Sequence, residues 1–312
     1  MRLIRNLDDF DERLCDGAIT IGNFDGVHRG HARIIERLLS QAKRVDGPAI
    51  VFTFEPHPVR LLRPELAPPP LTWTERKAEL LAEIGVDAIV AYPTDEALLA
   101  LEPEIFFEQI VCDRLRAKAM VEGPNFFFGH NRAGNVELLE ILCRRSGIEL
   151  EIVQPLVIDD EYVSSSRVRE AIRRGEVAEA HHLLTRPYRI RGMITHGAGR
   201  GAKIGFATAN VDAIDTLIPA EGVYAGLAFA PHGVWPAAIN IGGNPTFGEN
   251  AHKVEVHLIG FHDSLYGQPL EVDFIDRLRD IQPFDSVEAL KNQLEQDVQR
   301  TREFVAKEDR ED

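Results

Sequence analysis

Two histidines and three glycines lie within one short segment, residues 22–31. An apolar run precedes the segment and apolar residues at helical spacing follow it, so the pattern predicts a strand, a turn and a helix. A helix N-terminus has unpaired backbone N–H groups and the positive end of the helix dipole, which favour an anion. Gly26 and Gly30 would let the main chain approach that anion, and His28 and His31 could donate hydrogen bonds to it. The segment therefore predicts a phosphate-binding site.

A second candidate anion site lies in residues 163–169, where three serines precede an arginine. Hydroxyl groups at the start of a helix can donate to phosphate oxygens, and a guanidinium group one turn later matches their geometry. Taken alone, this segment also fits a surface helix capped by serine. Together with the histidine segment, phosphate binding becomes the favoured interpretation.

Residues 22–31 and 163–169 resemble the nucleotidyltransferase signature of the bifunctional riboflavin kinase and FAD synthetase family. The resemblance implies that His28 and His31 are catalytic residues that contact nucleotide phosphates. It implies further nucleotide contacts at Gly22, Phe24, Asp25, Gly30, Asn125, Ser164, Ser165, Ser166 and Arg169. Phe127 stands where the family usually has arginine. The histidine segment alone would also fit other cytidylyl- or adenylyltransferases.

The glycine-rich residues 192–210 match neither a Walker motif nor a dinucleotide fingerprint. They resemble the riboflavin kinase segment of the same family. The resemblance implies nucleotide binding by Gly197, Gly199, Gly201 and Gly205 and Mg²⁺ binding by Thr208 and Asn210. A hydroxyl and an amide provide the hard oxygen ligands that suit Mg²⁺. Ala207 replaces the family's proline, which predicts altered loop rigidity rather than a lost ligand.

Glu255 lies in residues 254–258, which resemble a further segment of the family. The resemblance implies that this glutamate is the general base for the 5′-hydroxyl of riboflavin. Without the surrounding match, an outward-facing strand carboxylate would be the preferred interpretation. Gly260 lies where many relatives have aspartate.

The composition limits which classes of protein and which partners the chain can have. The chain has 312 residues, enough for two domains, and a formal net charge of −15, which argues against a nucleic-acid partner. Its three cysteines are widely separated, make an odd count and show no metal-ligand spacing, which indicates a reducing compartment. No apolar run approaches membrane-spanning length. We therefore expect a cytoplasmic protein without a membrane partner.

The order of patterns predicts two modules. Strand-like runs alternate with helical patterns up to about residue 180, which is typical of a doubly wound parallel sheet of the Rossmann-like, nucleotidyltransferase type. Short alternating strands then predict a small antiparallel β-barrel of the riboflavin-kinase type, followed by a C-terminal helix whose apolar stripe should pack on the core. We expect an FMN adenylyltransferase domain over residues 1–184 and a riboflavin kinase domain over residues 185–312.

The resemblance covers nearly the whole chain and implies two reactions. Riboflavin and ATP would give FMN, and FMN with a second ATP would give FAD and pyrophosphate, with Mg²⁺ as the cofactor. The expected partners are the small molecules riboflavin, FMN and ATP, and the oligomeric state stays open. The alternatives are a single-activity enzyme with one decayed module and a flavin-sensing regulatory protein without turnover.

Overall fold

The computed structural model describes residues 1–197, 201, 204–231, 233–244 and 249–308. The chain forms two compact units, and each is described by itself. The first contains Met1–Pro68 and Trp73–Ser164, and the second contains Pro69–Thr72 and the chain from Ser165 onward. Among the described residues, no helix combines the length and the hydropathy needed to cross a membrane.

The first unit is built on a six-stranded parallel sheet, as predicted. Its strands are β1 (Arg2–Ile4), β2 (Ala18–Ile21), β3 (Ala49–Glu55), β4 (Ala88–Pro93), β5 (Ala119–Glu122) and β6 (Glu149–Ile152), in the order β1-β4-β3-β2-β5-β6. All four residues of β2 are buried, because apolar clusters cover both faces of the sheet. Burial on both faces explains the continuous apolar runs of these strands.

Helices cover this sheet. They are α1 (Arg29–Arg44), α2 (Val59–Leu62), α3 (Thr74–Ile84), α4 (Glu96–Leu99), α5 (Pro103–Phe106), a π-helical segment (Phe107–Arg114) and α6 (Val136–Ser146). A two-stranded hairpin follows, β7 (Val157–Ile158) with β8 (Glu161–Tyr162). Helix α1 buries Ile35 and Leu38 completely, which confirms the helical spacing that the sequence predicts after the histidine segment.

The strand order reverses direction at β2, which has β3 on one side and β5 on the other. The paired register of β2 and β5 covers only Ala18 and Ile19 of β2. Beyond it, the backbone N–H of Ile21 donates instead to the side chain of Glu122, over 2.7 Å. In open α/β sheets, ligands bind at such a switch point, beyond the carboxyl ends of the strands.

The second unit begins with two helices and continues as a closed antiparallel barrel. Its elements are α7 (Ser165–Arg174), α8 (Val177–Leu183), β9 (Tyr188–Thr195), β10 (Ala209–Asp212), β11 (Gly222–Ala230), β12 (Gly233–Asn244), β13 (Glu249–Leu258), β14 (Pro269–Arg279) and α9 (Val287–Glu308). The barrel order is β10-β13-β12-β11-β14-β9. Five of these strands follow the predicted pattern; β10 does not, because it has four residues and adjoins the glycine-rich segment.

The units divide after Ser164, earlier than the boundary expected near residue 184. Helix α8 explains the difference, because it packs against β14 and β9 and fully buries Val177, Ala180 and Leu183. Composition alone assigns these helices to the preceding run of strands and helices, since they carry the same amphipathic pattern as that run.

Helix α9 packs against the barrel, as predicted, but only part of its apolar stripe is buried. Ser286 caps it by accepting from the Ala289 N–H over 3.1 Å, but Val287, an apolar residue of its first turn, is exposed. The buried side chains are Asp297, Thr301 and Val305. Asp297 accepts hydrogen bonds from the guanidinium group of Arg279, the shortest 2.8 Å long. An ion pair therefore replaces part of the expected apolar contact.

Candidate active sites

A cavity of about 730 Å³ opens at the carboxyl ends of the strands of the first unit. Among the sequence-predicted site residues, those that line it are Gly22, Phe24, His28, Gly30, His31, Asn125 and Ser164. Phenylalanine side chains line it as well, from Phe54, Phe106, Phe126, Phe127 and Phe128. The cavity thus combines a helix N-terminus with a wall of aromatic rings, which suits a ligand with both phosphate groups and flat rings.

The turn before α1 is held in unusual backbone conformations. Phe24, Gly26 and Val27 all have positive φ, of 47°, 84° and 42°. Left-handed conformations cost a branched residue such as Val27 of the order of 1–3 kcal/mol and cluster at functional sites. Gly30 packs closely against the first histidine, because a Cβ there would lie 3.1 Å from Nδ1 of His28.

The two histidines stack on each other at the start of α1. Their ring centroids lie 3.6 Å apart, and the ring of Phe24 lies 4.9 Å from that of His31. Nδ1 of His28, the N-cap residue, accepts from the backbone N–H of His31 over 3.2 Å. A neutral His28 ring therefore carries its proton on Nε2.

Nδ1 of His31 is buried, and no described residue bonds to it. Burial lowers the pKa of His31 well below its usual value, and the nearby His28 and Lys77 act in the same direction. His31 is therefore a neutral hydrogen-bonding group at neutral pH rather than a cation.

Lys77 is a buried cation that sequence reasoning did not single out. Its Nζ donates to Oγ1 of Thr53 over 3.3 Å. Burial lowers the pKa of Lys77, whereas the carboxylates of Asp25 and Glu55 act in the opposite direction. Asp25 is itself buried near this lysine, and it does not line the cavity. In the sequence, the feature that could have identified Lys77 as a candidate site residue is its position on the buried face of α3.

The remaining predicted residues of the second signature belong to the second unit. Ser165 and Ser166 open helix α7, which confirms that this segment begins a helix. The Arg169 side chain is buried, and its Nε donates to the carbonyl of Pro69 over 3.0 Å. Nucleotide contacts by these three residues stay predictions.

In the barrel, the predicted metal and base residues come together across neighbouring strands. Asn210 of β10 lies directly opposite Glu255 of β13, and Glu255 lies directly opposite Asn240 of β12. Residues opposite each other in antiparallel strands have Cβ atoms about 4.5–5.5 Å apart, so these side chains are neighbours. Glu255 is half-buried, whereas Val254 and Val256 on either side of it are buried in the barrel.

Two of the predicted glycines lie against the predicted metal ligands. A Cβ at Gly197 would lie 2.0 Å from Nδ2 of Asn210, and one at Gly201 would lie 2.2 Å from the carbonyl oxygen of Phe206 and 3.7 Å from Oγ1 of Thr208. A side chain at Gly197 would therefore displace Asn210, and one at Gly201 would displace the backbone at Phe206. Gly205 has φ of +92° and open space beside it, and Gly199 lies outside the described residues.

His257 ties the segment before Thr208 to the barrel. Its Nδ1 lies 2.7 Å from the carbonyl oxygen of Ala207, and since a carbonyl only accepts, Nδ1 carries the proton. The His257 ring also lies 5.5 Å from that of Phe206. This hydrogen bond holds the chain in place at Ala207, the position at which the sequence predicts altered loop rigidity. The donor set of Thr208, Asn210 and Glu255 contains the hard oxygen atoms that a small divalent cation prefers.

Comparison with known proteins decides the family. The FAD synthetase family model matches residues 11–167, and the riboflavin kinase model matches residues 184–305. A bifunctional riboflavin kinase/FMN adenylyltransferase of Escherichia coli (strain K12) is 35% identical over 309 residues, which are 97% of this chain and 98% of the relative. This chain belongs to that bifunctional family. The corresponding protein of Pseudomonas fluorescens is 36% identical and is covered over 98% of both chains.

A solved structure shares the whole fold. A crystal structure from Streptococcus pneumoniae, described as a macrolide-efflux protein, is 30% identical with a TM-score of 0.85 and covers 96% of this chain and 98% of its own. The family assignment confirms the predicted bifunctional enzyme, with riboflavin kinase and FMN adenylyltransferase activities.

Proposed function

We propose that the first unit joins FMN to ATP in the cavity at the switch point. An oxygen of the FMN phosphate would attack the α-phosphorus of ATP, the bond to the β-phosphate would break, and pyrophosphate would leave. Support comes from the stacked pair His28 and His31 at the N-terminus of α1, because neutral donors and backbone N–H groups stabilise the charge that develops on phosphate oxygens. Ser164 and Asn125 would orient the two substrates, since both line the same cavity.

We propose that the barrel phosphorylates riboflavin. Glu255 would accept the proton of the riboflavin 5′-hydroxyl while that oxygen attacks the γ-phosphorus of ATP and ADP leaves. The observation that carries this proposal is the direct opposition of Asn210 and Glu255 in the β10–β13 register. Thr208 and Asn210 would hold Mg²⁺, which when bound would neutralise charge on the ATP phosphates. Gly205, which has open space beside it, and Gly199 would let the chain approach those phosphates, whereas Gly197 and Gly201 would let it pack against Asn210 and Phe206. Because both reactions consume ATP, we propose that the enzyme works in the cytoplasm.

Replacing Asn210 by alanine removes one proposed oxygen ligand. We expect the Mg²⁺ concentration for half-maximal riboflavin kinase activity to rise at least about tenfold, since even residues that only orient a ligand are worth ten- to hundredfold in metal affinity. Asn210→Asp, which keeps an oxygen at the same place, should lose much less. Mg²⁺ titrations of FMN formation test this, with FAD formation from supplied FMN as the internal control. An unchanged Mg²⁺ requirement in Asn210→Ala would remove this residue from the metal site.

A fragment of residues 165–312 should phosphorylate riboflavin and make no FAD. It keeps α7 and α8, whereas a fragment of residues 184–312 lacks the apolar side chains that α8 packs on β14. We therefore expect the shorter fragment to unfold at a lower temperature, measured by circular dichroism. If the longer fragment folds but leaves riboflavin unchanged, the barrel is not a kinase by itself.

A further inference from the structure

Glu122 is the one acidic side chain among the described residues that line the first cavity. It ends β5 at the switch point and is only 3% exposed. Its Oε1 accepts the Ile21 N–H of β2 over 2.7 Å, at the point where the two strands cease to pair. The carboxyl group therefore lies between the two strands at the floor of the cavity.

The surroundings of this carboxyl group are apolar. Met120, two residues earlier on β5, and Cys143 of α6 are both buried, and Cys143 is close enough to interact electrostatically with Glu122. Burial raises the pKa of Glu122 well above its usual value, although the hydrogen bond from Ile21 acts in the opposite direction. Burial therefore favours the protonated form of this carboxyl group, which has one O–H to donate.

The hydrogen bond from Ile21 occupies Oε1, so the O–H belongs on Oε2. Another polar atom of the cavity lining, Oγ1 of Thr20, is buried and has no hydrogen-bond partner among the described residues. Buried polar groups normally find a partner, and a ligand bound in the cavity can supply one to Thr20.

The aromatic side chains that line the cavity indicate what kind of ligand group binds beside Glu122. The rings of Phe126 and Phe128 stack with centroids 5.4 Å apart, and that of Phe106 lies 6.2 Å from Phe128. Phe106, Phe128 and Met120 belong to one apolar cluster, on the face of β5 that also carries Glu122. Aromatic side chains that line a cavity can pack against a planar ring, and a single donor beside them would fix the orientation of that ring.

We infer that Glu122 is a specificity-determining residue of the adenylylation site, which donates a hydrogen bond from its carboxyl group to an acceptor atom of a heteroaromatic ring of the bound substrate. This inference rests on the function proposed for the first unit. Two rings share the required chemistry, the isoalloxazine of FMN and the adenine of ATP. The carboxyl group would select the ring whose acceptor atom reaches it, because a ring without that acceptor would leave the buried donor unpaired.

The test compares Glu122→Gln and Glu122→Met in the full chain. Glutamine keeps an acceptor for Ile21 and a donor for the ring, whereas methionine has a similar volume and neither group. KM for FMN and KM for ATP are measured separately in FAD formation, and the Kd of each substrate is measured by equilibrium binding. We expect Glu122→Gln to keep both KM values within about threefold and Glu122→Met to raise one KM and the matching Kd about tenfold.

The substrate whose values rise identifies the ring. A rise for FMN alone assigns the isoalloxazine, and a rise for ATP alone assigns adenine. Equal rises of KM and Kd for both substrates in Glu122→Met, or no rise beyond twofold for either, would overturn the inference. Glu122 would then only link β2 to β5 by its hydrogen bond. If Glu122→Met fails to fold, Glu122→Asp, which shortens the side chain by one methylene, is judged by the same criteria. A parent chain that binds both substrates but forms no FAD would refute the proposed function instead, and the Kd values would still test Glu122.

Discussion

Replacing His31 by alanine should lower the rate of FAD formation from FMN and ATP about a hundredfold. His31 is neutral and half-buried, and at the N-terminus of α1 its ring stacks on that of His28 and lies at a tilt to that of Phe24. A donor fixed in this way costs no reorganisation when charge develops on the phosphate oxygens, and loss of comparable donors costs about 3 kcal/mol. The measurement is the steady-state rate of FAD formation by the purified full-length variant.

Two controls separate chemistry from folding in this experiment. Riboflavin phosphorylation by the same variant should stay at the parental rate, because the proposed kinase residues belong to the barrel. Arg33→Ala changes an exposed residue of the same helix and should leave both activities unchanged. If His31→Ala forms FAD within twofold of the parental rate, His31 has no part in the transfer.

Glu255→Gln should slow FMN formation from riboflavin about a hundredfold or more. Glutamine keeps the size of the side chain but cannot accept the proton of the riboflavin hydroxyl, and positioned bases contribute about 10²–10⁴-fold. The opposition of Glu255 to both Asn210 and Asn240 should be kept, because the substitution leaves the strand pairing unaltered. The rate of FMN formation at saturating riboflavin and ATP measures the effect.

The same variant supplied with FMN should form FAD at the parental rate. Glu288→Gln makes the identical chemical change at an exposed position of α9 and should leave both reactions unchanged. Full kinase activity in Glu255→Gln would show that Glu255 is only a strand carboxylate. Selective loss of FAD formation would contradict the assignment of the two reactions to the two units.

The sequence predicts those parts of the fold that depend on local pattern. The helix after His28 follows from apolar residues at helical spacing, and the structure has it as Arg29–Arg44. The pattern misses β10, because a four-residue strand has too short an alternation to stand out from the glycine-rich chain beside it. The pattern also does not predict the buried ion pair of α9, because Asp297 and Arg279 belong to two segments that meet only in the folded protein.

The same limit applies to the sites. Residues 22–31 can be recognised from the sequence because all the groups of one helix N-terminus lie in a single short segment. Lys77 and Glu122 do not, because their importance depends on burial and on partners far away in the sequence, such as Thr53 and Ile21. The opposition of Asn210 and Glu255 likewise depends on the β10–β13 register, which the sequence leaves unspecified.

One incubation tests the central claim that a single chain carries both reactions in separate units. The purified full-length protein is mixed with riboflavin, ATP and Mg²⁺, and riboflavin, FMN and FAD are separated by chromatography over time. We expect FMN to appear first and FAD to follow as FMN is consumed, with Glu255→Gln blocking the first step and His31→Ala the second. Binding of riboflavin with no consumption of ATP and no FMN or FAD would contradict the claim.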